Sequence, residues 1–137
     1  AASIFAGGGD CAGSYACFDF APNDIYTFAP NTPNPVPYII FNPDYMDEDP
    51  QLLSVILAHE GTHFQEYIDG KIQQYRVGQL NVVDIEFLAF WNASVYWDSI
   101  RSGFSSSTSV LTQDFDYLHS LASQSEAALR TEIDLRY

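Results

Sequence analysis

The sequence predicts an α+β domain with segregated elements, short antiparallel strands first and three helices after. Three observations carry this. The N-terminal third alternates β-prone clusters with Pro and Asn, the composition changes at Asp49-Pro50, and beyond that point apolar residues recur at steps of three and four. A chain of 137 residues has the size of one compact domain, read here as spanning residues 1–137. Its 47% hydrophobic and 15% aromatic content supplies a core and rules out a disordered composition.

Strands are expected near Cys17–Phe20, Ile25–Phe28 and Tyr38–Phe41, separated by turn-forming residues and a proline-rich loop from Asn31 to Pro37. Asp49 followed by Pro50 reads as an N-cap and first helical residue, and Gly70 as the stop. A second helix is expected from an Asn81 cap, with Asp84 placed to complete a capping box, to a point before Gly103. The polar run SGFSSSTS is a loop. A last helix begins near Thr112, with Leu111, Phe115, Leu118, Ala122, Leu129 and Ile133 as its apolar stripe.

Five Lys and Arg against eighteen Asp and Glu set the formal charge at −13. Such a chain is a poor ligand for nucleic acid, and it is repelled by anionic membranes. No apolar stretch approaches the roughly 20 residues of a membrane span. The GGGD turn at Gly7 lacks the strand-to-helix setting of a phosphate loop. Cys11 and Cys17 flank a Gly13-Ser14 turn, so a small hairpin would bring their thiols to disulfide distance. That pairing implies an oxidising compartment and so a secreted chain; the AAS start would suit a chain trimmed by a signal peptidase or an arbitrary boundary.

The chemistry concentrates in SVILAHEGTHFQEYIDG, Ser54 to Gly70. On a helix His59 and His63 lie nearly above one another, so two imidazoles can share one tetrahedral ion. Glu60 lies about 60° round from His63, where it can reach a metal-held water without being a ligand. The preceding Leu52, Leu53, Val55, Ile56, Leu57 and Ala58 mark a buried helix, on which inward histidines need a partner. His at position 69 would extend the motif in the metzincin manner, but Asp69 stands there, so the third ligand comes from elsewhere. Glu86 is the best candidate, because it sits in the most apolar segment, where an unpaired carboxylate is costly. Ala89 and Ala93 on its face would let the two helices approach closely. Glu66 and Asp84 compete. Glu66 lies one turn past His63 and suits a bracing role behind the ligands, and Asp84 is already used by the helix start.

The set His59, Glu60, His63 and Glu86, with the small Ala89 three residues on, resembles the gluzincin-type zinc metallopeptidases over about Tyr38 to Trp97. The chain departs from that pattern at Phe90, where family members often carry an aspartate, and at Gly61 and Thr62 inside the motif. The resemblance implies a zincin-like fold with the motif on the first long helix, and a bound Zn2+. The reaction it implies is hydrolysis of peptide bonds in peptide or protein substrates, with Glu60 as general base. An inactive zinc-binding domain of the same type is the alternative. In zincins a sheet edge aligns the substrate, and PYIIF at Pro37 to Phe41 is similar in pattern, though it equally suits a core strand. Related enzymes add a Tyr or His that stabilises the oxyanion. His119, about 40° from Phe115 on the last helix, is the catalytic candidate on geometry. Tyr117 faces away, and Tyr75 and Tyr96 are not placed by the sequence.

Overall fold

The computed structural model describes residues 14–20, 37–104 and 109–137. It is mostly helical, with one two-stranded antiparallel sheet and five α-helices among the described residues. The expected strand at Ile25–Phe28 lies outside them. The chain divides into two compact units, Ala1–Asp47 and Glu48–Tyr137.

In the first unit, β1 (Ala16–Phe20) pairs with β2 (Pro37–Phe41), with Cys17 opposite Ile40 and Phe18 opposite Ile39. Asn42 extends this ladder, its backbone N–H donating to the Tyr15 carbonyl at 2.9 Å and its side chain to the Ser14 carbonyl at 2.8 Å. Cys17 is buried and disulfide-bonded, and its expected partner Cys11 lies outside the described residues.

In the second unit, α1 (Pro50–Ile68) starts as the sequence predicts, with the Asp49 carboxylate accepting from the Gln51 N–H at 2.8 Å. It ends before Gly70, whose φ of 81° is left-handed, a conformation that glycine adopts without strain. A short α2 (Lys71–Arg76) follows. α3 (Val82–Ile100) opens on the Asn81–Asp84 capping box, both hydrogen bonds formed. The cross-links Ser54–Tyr96 at 2.7 Å and Asn92–Thr62 at 3.1 Å show α1 and α3 packed antiparallel.

The single last helix of the sequence reading is two helices. α4 (Val110–Gln124) and α5 (Glu126–Arg136) meet at Ser125, an extended residue whose hydroxyl caps α5 by accepting from the Ala128 N–H at 3.0 Å. The predicted stripe survives the break. Leu118, Leu129 and Ile133 form one buried cluster with Phe90 of α3, and Ala122 packs against it. Folding α5 back lets both helices present that stripe to α3. α4 itself begins two residues earlier than read, because Ser109 is its cap and Thr112 the reciprocal partner.

Candidate metal centre

The site is assembled where α1 meets α3. Leu52, Val55, Ile56, Glu60, Thr62, His63 and Glu66 are the buried positions of α1, a stripe that follows helical spacing. His59 and His63 are one turn apart on it, their rings 5.1 Å apart and edge-on. Ligand atoms of His59, Glu60 and His63 all lie within 4.8 Å of one another, so this trio can hold a metal ion.

Glu86 of α3, fully buried, faces both histidines. Its Oε2 stands 2.9 Å from His59 Nε2 and its Oε1 3.3 Å from His63 Nε2. The flanking Ala89, buried with no exposure, allows this close approach of helices. Donor atoms held at roughly 2.0–2.1 Å by a tetrahedral ion stand about 3.3 Å apart, so the spacing suits a shared cation. Two further observations fit one. Both Glu86 oxygens and Glu60 Oε2 are buried without an aligned hydrogen bond. Three buried carboxylates, Glu60, Glu66 and Glu86, also converge on two imidazoles, an excess of negative charge that a divalent cation offsets.

Glu66 braces the cluster from behind. Its Oε1 lies 3.0 Å from His63 Nδ1, which directs the other ring nitrogen toward Glu86. Phe90, at the position where the resemblance leads one to expect an aspartate, packs its ring edge-on against His59 with centroids 4.5 Å apart. It orients that imidazole by shape rather than charge. The other two departures also have local reasons. Gly61 faces open space, and Thr62 is buried, its hydroxyl donating to the Ala58 carbonyl and accepting from Asn92.

The protonation states follow from burial and these contacts. For Glu86, burial would raise the carboxyl, but the charge of His63 and the contacts with both imidazoles outweigh it and hold it at about 2. For His63, burial would lower the imidazole, but Glu86 and the hydrogen bond to Glu66 lift it to about 10. Burial raises Glu60 above the ordinary carboxylate value, partly offset by the two histidines.

Asp84 does not reach the cluster, being engaged in the cap of α3 and paired with Arg130 at 3.5 Å. His119 does not reach it either. It pairs at 3.5 Å with Asp98, which lies about 18 Å along α3 from Glu86 and about 120° round it. The catalytic reading of His119 is therefore corrected: the apolar stripe of α4 packs on α3, but beyond the turns that carry the donors. Tyr96 is occupied with Ser54, and Tyr117 is exposed. Tyr137 is the residue the sequence reading missed. Its hydroxyl lies beside Glu86 and Glu60, and burial, with those two charges, raises it well above the usual phenol value. The available signal was Ser125-Glu126, a cap followed by an acid, which marks the start of a separate helix.

No helix among the described residues is long and apolar enough to cross a membrane. Comparison with protein-family models, with curated proteins and with solved structures finds no match to this chain.

Proposed function

We propose that the chain is a zinc-dependent endopeptidase of zincin-like, gluzincin-type arrangement, with His59, His63 and Glu86 as metal ligands and Glu60 as general base. One observation supports this most: a further buried acid, Glu60, stands 4.0 Å from His59 at its Oε1, beside a pair of histidines already spanned by Glu86. A site that only held a metal has no use for that extra carboxylate. Two imidazoles and one carboxylate, with a coordination position left for water, are the donor set of catalytic zinc.

When bound, zinc supplies Lewis acidity and makes its water a nucleophile near neutral pH. Glu60 accepts the water proton as the oxygen attacks the peptide carbonyl carbon, and returns that proton to the departing amine nitrogen. Glu66 holds His63 in one tautomer throughout. The disulfide at Cys17 supports an extracellular or otherwise oxidising compartment.

The test is metal analysis followed by hydrolysis of unfolded casein and of a peptide library, with chelation and zinc restoration. The expected result is one zinc per chain and zinc-dependent cleavage. Glu60→Gln should keep the zinc and lose turnover by a factor of about 10² or more. A zinc-loaded parent that cleaves nothing would leave only the inactive binding-domain reading.

A further inference from the structure

The two helices that build the donor cluster carry negative charge and no positive charge of their own. α1 (Pro50–Ile68) and α3 (Val82–Ile100) contain no Lys or Arg, yet bear Glu60, Glu66, Asp84, Glu86 and Asp98. Exposed Asp49 and Asp69 stand at the two ends of α1, where their carboxylates accept from the Gln51 N–H and the Gln65 amide. The cations lie elsewhere, and three of them are engaged inside the fold. Arg101 is tied to Asp116, and Arg130 to Asp84 and Glu126. Arg136, whose guanidinium lies 5.8 Å from the centre of the Phe90 ring, is tied to Asp114 and Glu132. Lys71 and Arg76 belong to α2. The other unit, Ala1–Asp47, has five Asp and no Lys or Arg. At the cluster itself, the buried Glu60, Glu66 and Glu86 outnumber the two charges of a divalent ion.

We propose that the substrate is a basic peptide or protein segment, with Lys or Arg on either side of the bond to be cut, drawn to the cluster by this field; the proposal rests on the peptidase reading of the same site. A site lined by one sign of charge raises the encounter rate and local concentration of an oppositely charged substrate by about 10–10³-fold at low salt. An acidic segment meets the opposite force. The field acts before the chemical step, so it changes kcat/KM and leaves kcat alone. Salt weakens it, because mobile ions screen charges that are not in contact.

The test uses two blocked peptides that share the segment around the casein bond cut fastest by the zinc-loaded protein. One has flanks of Lys and the other flanks of Glu. At about 0.01 M salt kcat/KM for the Lys peptide should exceed that for the Glu peptide by about tenfold or more, with kcat alike. The two values should converge as salt rises to about 1 M. Asp49→Asn, Asp69→Asn and Asp98→Asn combined should shrink the low-salt ratio by about threefold or more and leave kcat unchanged. Equal cleavage of the two peptides at low salt, or faster cleavage of the Glu peptide, overturns the substrate class while the peptidase reading stands. A preference that persists undiminished at high salt, or a ratio unmoved in the triple variant, also overturns it, since the selection would then come from a contact and not from the field. A zinc-loaded protein that cuts no casein overturns both.

Discussion

His63 shows how two carboxylates divide one imidazole. Glu66 takes Nδ1 at 3.0 Å and Glu86 faces Nε2 at 3.3 Å. The i,i+3 relation of His63 and Glu66 was legible in the sequence, because a helix puts such residues in reach. The orientation of the His59 ring was not, since it depends on Phe90 packing from another helix. Glu66→Gln keeps a group able to hydrogen-bond the ring but removes the charge that raises its basicity. Zinc affinity should fall about 10–100-fold, measured by competition with a chromophoric chelator. An unchanged affinity would show that Glu66 does not tune the ligand. The same change leaves Glu60 in place, so residual zinc-loaded protein should still turn over.

Among the elements, α3 is the one that unites the structure. It carries Glu86 toward α1, Phe90 toward α4 and α5, and Trp97 into the core beside Phe104 and Phe115. Near its end Trp97 Nε1 donates to Asp116 at 3.0 Å, and Arg101 donates to both oxygens of that carboxylate at 2.8 and 3.1 Å. This grip fixes α4 on α3 and, with it, keeps His119 at Asp98. The break at Ser125 is equally consequential, because without it α5 would run on past α3 and carry Tyr137 away. Ser125→Ala removes the cap of α5 and should cost about 1 kcal/mol, a fall in Tm of about 4 °C. Thermal unfolding checks this.

At the scale of the whole molecule, stability against pH separates the metal-free from the metal-bound state. His63 rises from its ordinary 6.5 to about 10, so its contribution is complete below 6.5 and is lost as the pH climbs through about 10. Glu86 falls from its ordinary 4.5 to about 2, so its contribution is complete above 4.5 and is lost as the pH drops through about 2. The chelated protein should therefore melt highest between pH 4.5 and 6.5 as far as this pair governs it. Zinc needs both imidazoles neutral and displaces the His63 proton, so the gain in Tm on adding zinc should grow from about pH 6 to about pH 8. Calorimetric melts with chelator and with zinc across this range test both slopes. A zinc gain that shrinks with rising pH would exclude His63 as a ligand.

Local chemistry let the sequence alone determine the capped start of α1, the capping box of α3, the apolar stripe of the last helices, and His59 and His63 on one face with Glu60 beside them. Each depends on residues within a few positions of one another, whose geometry the helix period sets. Glu86 was legible one step further, because a carboxylate in so apolar a segment needs a partner. The tertiary structure alone decided that α4 and α5 are two helices, that His119 pairs with Asp98, and that Tyr137 stands at the donor cluster. These depend on how separate helices pack, and packing turns on the summed fit of many side chains that no single stretch of sequence encodes.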